Sequence, residues 1–183
     1  MRRLLPALLA LAALAAAGCG GHTGQRVSAE TEGLYLDVGE MTYQVQISRY
    51  MNPADQEDRA YFAGLPEGGE QLPGDEAWFG IFLRVQNEDT QAHRAAGNIV
   101  IEDTVGNKYR PVGLGDENLF AYRAEMVLPE SVYPAPDTTA ATGPVGNGLL
   151  LLFRLKIESL QNRPLIMRIS EGAGQPSEVK LDV

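Results

Sequence analysis

One cysteine, two histidines and one tryptophan in 183 residues leave few materials for the commonest active sites. With Cys19 alone, the chain has no intramolecular disulfide to staple its fold. Nucleophilic catalysis needs a hydroxyl or thiol beside a base, and past residue 32 the sole imidazole is His93. Also missing are a Gly-x-Ser-x-Gly elbow, a His-Glu-x-x-His helix and a glycine-rich phosphate loop ending in Lys-Ser or Lys-Thr. Glu102 and Asp103 adjoin on one strand, so their carboxylates point to opposite faces and cannot share a substrate. The expectation is a protein that is not an enzyme. Basic residues are scarce as well. Beyond Arg3 there are 13 of the 15 against all 24 acidic residues, a formal charge of −11, and Lys and Arg are scattered singly. That balance excludes a phosphate-neutralising stripe for nucleic acid and charge-driven adhesion to anionic lipid. It suits a domain kept soluble by its own acidity.

What the chain does have begins at its first residues. Arg2 and Arg3 precede an apolar stretch, Leu4 to Ala17, followed by Gly18 and Cys19. The stretch falls short of the about 20 residues a membrane-spanning helix needs, and its layout is that of a secretory signal. Leu4-Leu5-Pro6 does not continue Arg2-Arg3 as a twin-arginine signal does, so export through the general route is expected. The tetrapeptide Ala16-Ala17-Gly18-Cys19 resembles the cleavage site of a bacterial lipoprotein. The resemblance implies cleavage after Gly18, a diacylglycerol bearing fatty acids such as palmitate on Cys19, and a mature chain held on a membrane outside the cytoplasm. Two acyl chains at ~0.8 kcal/mol per buried methylene give an anchor of roughly 20 kcal/mol. Residues 19–32, Cys-Gly-Gly-His-Thr-Gly-Gln-Arg-Val-Ser-Ala-Glu-Thr-Glu, are polar and glycine-bearing, the composition of a flexible tether, with His22 a solvated tail residue.

From residue 33 to 183 a single domain is expected. Apolar residues recur at every second position, the period of half-buried strands. Leu34, Leu36 and Val38 form one such set, Tyr43, Val45 and Ile47 another, and Phe79, Ile81, Leu83 and Val85 a third. Ile99 with Ile101, then Leu149 through Ile157, Leu165-Met167-Ile169 and Val179-Leu181-Val183 continue the pattern. Alternation of this kind favours antiparallel sheets with one wet face over a parallel sheet covered on both. The expected fold is all-β, an immunoglobulin-like antiparallel sandwich of seven or more strands, with a barrel as the alternative.

Val105-Gly106-Asn107-Lys108 carries residues that tolerate positive φ and predicts a hairpin between Ile99–Asp103 and Tyr109–Val112. Phe79–Asn87, Asn98–Asp103, Gly106-Asn107-Lys108-Tyr109 and Gly148–Leu155 together resemble a group of bacterial immunoglobulin-like lipoprotein domains of unknown function. Arg154-Leu155-Lys156 departs from that group's apolar-Pro ending. The resemblance implies a fold and a surface location, not an activity.

Two segments break the strand pattern, Met51 to Glu76 and Gly113 to Asn147, and loops of this length are either functional or loosely packed. Their acids invite calcium, yet Asp55-x-Glu57-Asp58 lacks the ligand alternation and central glycine of an EF-hand, and Asp116-Glu117-Asn118 is three acceptors in a row. Copper would have to draw on His93 and the scattered Met41, Met51, Met126 and Met167, of which Met167 belongs to a core face. No cofactor is expected. The expected function is a lipid-anchored binding or accessory domain of the cell envelope, with another envelope protein as partner; the alternative is a carrier of a small ligand or a metal such as calcium or copper. Trp78, Phe82 and Tyr50 on outward positions, with Phe120, Tyr122 and Tyr133 of the second long loop, are the candidate partner surface if exposed, and buried anchors if an insertion covers them.

Overall fold

The computed structural model describes residues 25–172 and 174–183. The signal, its cleavage point at Gly18 and Cys19, and His22 lie outside the described residues. Twelve strands account for nearly all the regular structure there, with two 3-10 turns and one four-residue helix, Thr139–Thr142. In chain order the strands are β1 (Ser28–Ala29), β2 (Tyr35–Val38), β3 (Met41–Met51), β4 (Glu76–Asn87), β5 (His93–Arg94) and β6 (Asn98–Glu102), followed by β7 (Lys108–Tyr109), β8 (Met126–Val127), β9 (Ser131–Tyr133), β10 (Leu149–Lys156), β11 (Ile166–Ser170) and β12 (Ser177–Lys180).

The immunoglobulin-like β-sandwich predicted from the alternation is the observed architecture. One sheet runs β1-β12-β11-β6-β7 and the other β10-β4-β3-β2, with β9 beside β4 past the end of β10. All pairs in both sheets are antiparallel except β1 with β12. Alternate residues from both sheets meet in the middle: Leu36 and Val38, Tyr43 and Val45, Phe79 to Val85 by twos, Leu151 to Leu155 by twos, Ile99 and Ile101, Met167 and Ile169, Val179 and Leu181. The predicted hairpin is there too. Ile101 pairs with Tyr109 and Glu102 with Lys108, Gly106 takes φ +90°, and the buried Asp103 carboxylate accepts from the Val105 and Asn107 N–H groups at 3.1 and 2.9 Å.

Three expected inward residues are exposed instead. Leu34 precedes β2 and Ile157 follows β10, so neither is held on a sheet face, and they are 38% and 44% exposed. Ile47 is moved by a β-bulge. Val45 pairs with Leu83, but Ile47 pairs with Phe82, one residue further on the partner. A bulge inserts an extra residue and exchanges the faces beyond it. Past Gln46, Ser48 and Tyr50 therefore join the core side while Arg49 and Met51 take the outer one, which corrects the outward placement of Tyr50. Its ring meets Phe79 edge-on at 5.2 Å.

The tether is shorter than predicted. From Arg26 the chain is already built into the sandwich edge: the Arg26 N–H donates to the Asp37 carboxylate at 2.6 Å, and the Asp37 N–H donates back to the Arg26 carbonyl at 2.8 Å. Ser28 and Ala29 then pair with Glu178 and Val179 of the opposite sheet, and Ala29 is buried. Residues 26–29 thus cover one edge of each sheet, where unpaired backbone would invite another chain. Glu32 follows, accepting from the Ser48 and Asp182 N–H groups at 2.9 and 3.0 Å. Residue composition hid this, because the closure is made by backbone groups and one small side chain. Ala29→Asp puts an unpaired charge at this seam and is expected to lower unfolding free energy by about 3 kcal/mol in urea melts, whereas the near-isosteric Val27→Thr, at a half-exposed position of the same segment, changes it by about 0.5 kcal/mol or less.

Candidate functional site

β4 and β10 carry continuous apolar runs, Phe79 to Leu83 around Gly80 and Leu149 to Phe153, and both faces of these strands are covered. Odd-numbered residues of β4 enter the main core. Trp78 and Phe82, with Leu150 and Leu152 of β10 and Met51 of β3, face the other way into a second core. Its lid is the two long loops. The first supplies Tyr61 and Phe62 from a 3-10 turn, Arg59–Phe62, and the second supplies Phe120. Tyr61 sits edge-on to Phe82 at 5.0 Å and to Phe120 at 4.7 Å, and Phe62 edge-on to Trp78 at 5.7 Å. The Trp78 Nε1–H donates to the Glu70 carbonyl at 3.0 Å, so the first loop also satisfies its one polar atom.

Gly80 lies beneath this lid because nothing larger fits: a Cβ there would stand 2.2 Å from the Met51 sulfur. Gly64 and Gly115 form a close crossing of the two loops, with a Gly115 N–H to Gly64 carbonyl bond at 2.9 Å and Gly64 at φ +78°. Next to it Asn118, 3% exposed, clasps the loops together. Its Nδ2 donates to the Tyr61 and Ala63 carbonyls at 2.9 and 2.8 Å, and its Oδ1 accepts from the Phe120 N–H. On the other side the buried Asp58 carboxylate pairs with Arg49 and accepts from the Asn52 N–H at 2.8 Å. Burial by itself would raise the Asp58 carboxyl, but the Arg49 guanidinium and the Asn52 amide outweigh it and hold it below the usual carboxylate value.

The proposed partner surface is therefore dismantled residue by residue. Trp78 and Phe82 are 3% and 0% exposed, a correction to their reading as an outward patch; the insertion covers them because their face of β4 is as apolar as the other. Phe120 is part of the same lid. Tyr122 instead packs on the main core, its hydroxyl donating to the Ala96 carbonyl at 2.7 Å, while the Tyr43 hydroxyl accepts from the Ala96 N–H at 2.7 Å. Burial, with Tyr43 beside it, pushes the Tyr122 phenol far above its ordinary range, and Tyr133 stands next to it at 6.2 Å between rings.

The candidate ligating residues are drawn apart in the same way. Asp58 and Asn118 point inward to the contacts above, and Asp116 lies on the surface 3.5 Å from Arg123. His93 Nε2 is 2.7 Å from an Asp89 carboxylate oxygen. Met41 and Met167 are in the main core, Met51 is in the second, and Met126 is half exposed. Among the described residues no three His, Cys, Asp or Glu side chains converge on one point. An open notch of about 400 Å³ lies at one end of the sandwich, between Arg94–Asn98 and Ser170–Gly172.

The remaining surface of interest is the half of the β2-β3-β4 face that the lid leaves open. Register places Tyr35, Gln44 and Arg84 side by side across three strands, and Asp37, Thr42 and Gln86 in the next row. Paired residues share a face. Tyr35 is 42% exposed, and its hydroxyl accepts from the Arg84 guanidinium at 3.4 Å, so the two side chains meet above β3. Gln46 Nε2 donates to Gln44 Oε1 at 2.6 Å, and Gln44 Nε2 to the Gly33 carbonyl at 2.7 Å. This row was not singled out in the sequence. The signal for it was the polar side of β3, three alternate residues Thr42, Gln44 and Gln46 without a charge among them.

No family model and no curated protein matches the chain. Among solved structures it is similar to an uncharacterized β-sandwich protein from Clostridium difficile 630, at 12% identity and a TM-score of 0.47, over 88% of this chain and 99% of that one. It is also similar to the yjhA protein from Bacillus subtilis, at 12% identity and 0.46 over 84% and 99% of the two chains. A functionally unknown protein from Listeria monocytogenes EGD-e follows, at 11% identity and 0.43 over 77% and 70%. Likeness at this level carries no argument about function.

The single tryptophan makes the second core easy to follow. Native emission from Trp78 is expected to be blue-shifted and poorly quenched by iodide. Asp58→Asn leaves Arg49 without its counter-charge and should cost about 2 kcal/mol, discounted because Arg49 is one-third exposed. The sign with pH follows from the lowered Asp58 value. Stability from this pair is complete above the unfolded carboxyl value of about 3.9 and is lost as pH falls through the lower folded one. The gap between the urea midpoints of wild type and Asp58→Asn should thus begin to narrow below about pH 4 and go on closing as pH falls further; a gap that stays constant with falling pH would mean the pair is not the cause.

Proposed function

We propose that the protein is a lipid-anchored domain of the bacterial cell envelope, displayed outside the cytoplasmic membrane, that works by binding or as an accessory to other envelope components and not by catalysis. The observation that carries this reading is the leader ending in Ala16-Ala17-Gly18-Cys19, with its only cysteine at the acylation position. The fold adds support from the other side. Arg26, the first of the described residues to be bonded into the sandwich, is seven residues past Cys19, a span of about 25 Å when fully extended. An anchor at Cys19 would therefore keep the domain close to the lipid surface, with the Arg26 edge nearest to it.

The acidic body fits display better than adsorption, because it is repelled by anionic headgroups and needs a covalent anchor to stay. A small-ligand carrier has only the open notch beside Arg94 and Ser170 in its favour, and a site open to solvent buries little of any ligand.

Cells producing the full-length chain and fed radiolabelled palmitate should incorporate label into the wild type and none into Cys19→Ala, and the variant should move from the membrane fraction to the soluble one. An unlabelled wild type, or a Cys19→Ala protein that stays on the membrane, would overturn the reading. Native mass spectrometry of wild type purified from its own envelope then separates an accessory, which brings a protein with it, from a carrier, which retains a small molecule.

A further inference from the structure

We infer that the open half of the β2-β3-β4 face, formed by Tyr35, Thr42, Gln44, Gln46, Arg84 and Gln86, binds an uncharged, hydroxyl-rich glycan chain. The inference deepens the proposed binding role by naming a ligand class, and it does not depend on the lipid anchor. Three properties of the face lead to it.

The first is shape. The rows lie on a sheet, where neighbouring strands are about 4.8 Å apart and alternate residues about 6.8 Å apart, so the six side chains cover a shallow platform roughly two sugar rings long. Tyr35 supplies the apolar part. It is 42% exposed, and its hydroxyl accepts from the Arg84 guanidinium, so an aromatic ring is available beside the polar rows for the C–H groups of a pyranose.

The second is hydrogen-bonding capacity. Each carboxamide brings an acceptor oxygen and two donor hydrogens. Gln44 and Gln46 spend part of this on each other and on Gly33, which orients them, and Gln86 donates to Glu88 at 2.9 Å. Left over are donor hydrogens on all three amides, the carbonyl oxygens of Gln46 and Gln86, the Thr42 hydroxyl and most of the Arg84 fork. Donors and acceptors interleaved at this spacing match vicinal hydroxyls, which are both at once.

The third is charge. The chain as a whole is strongly acidic, yet the two rows of this face carry one cation, Arg84, and one anion, Asp37, and so no net charge, and the Asp37 carboxylate accepts from the Arg26 N–H at the sheet edge. A polyanion would find a single cation already engaged with a phenol. A protein partner would find one aromatic among the six and aliphatic side chains only at the margins, Val132 beside Gln86 and Ile47 past Gln46, short of the apolar centre that protein interfaces use. A neutral polyol is the ligand whose chemistry the face complements.

The test uses the full-length protein in detergent micelles, titrated by calorimetry with chitotetraose, cellotetraose and, as a polyanion, heparin. At least one uncharged tetrasaccharide should bind. Tyr35→Ala should weaken it about tenfold or more, and Gln44→Ala and Gln86→Ala about threefold each, for a face whose contacts are shared among several residues. Ile157→Ala, an exposed position beyond the opposite end of β10, should bind as wild type does, and unchanged Trp78 emission confirms that each variant is folded. Absence of binding to both neutral tetrasaccharides, a preference for heparin, or full affinity in Tyr35→Ala would each overturn the inference.

Discussion

The structure depends on two central strands that are apolar on both faces. A β-strand shows alternate residues to opposite sides, so the runs Phe79–Leu83 and Leu149–Phe153 present a hydrophobic surface to each side of their sheet. One side is buried by the partner sheet. The other must be buried by something else, and the two long loops meet that demand: Tyr61, Phe62 and Phe120 supply the rings, Asn118 and the Gly64–Gly115 crossing join the loops, and Arg49–Asp58 fastens the first of them to β3. What reads as an acidic, proline-bearing insertion is a third layer. Its polar groups are placed to close it, which is why Asp58 and Asn118 are buried and bonded within the protein.

The bulge at Gln46 makes this layering compatible with β3. Before it, Met41, Tyr43 and Val45 face the main core. After it the parity changes, so that Tyr50 stays with the main core while Met51 and Arg49 reach the second layer, one as apolar filling and the other as the base of the ion pair. The same strand thus serves two cores in turn. Its polar half, Thr42 to Gln46, lies beyond the reach of the loops, and a polar platform with Arg84 and Asp37 as its charges remains open there.

The aromatic side chains follow the same division of surfaces. Aromatic side chains that could have met a partner are spent inside: Trp78 and Phe82 beneath the lid, Tyr122 and Tyr43 on either side of Ala96. The part of the β2-β3-β4 face that stays open is polar, and its one exposed ring is Tyr35. At the sandwich edge the chain between Arg26 and Ala29 bonds to both sheets in turn, so a pull applied through the N-terminus would be borne by backbone hydrogen bonds at a closed edge.

The sequence by itself determined the all-β class, the identity of most core residues and the Gly106 hairpin, because these follow from a period of two and from local turn chemistry within a few residues. It also carried the resemblance to a lipoprotein leader, a feature recognised as an extended peptide before any folding. Tertiary structure alone decided which face of β4 was covered twice, since Trp78 and Phe82 carry the same local pattern whether a loop or water lies over them. It decided that Tyr50 turns inward, because one extra residue at Gln46 reverses every assignment beyond it and leaves no local mark. And it decided that Arg26 to Glu32 belongs to the domain: partners such as Glu178 and Asp182 are some 150 residues away in the chain, and pairing over that distance is a property of the folded whole.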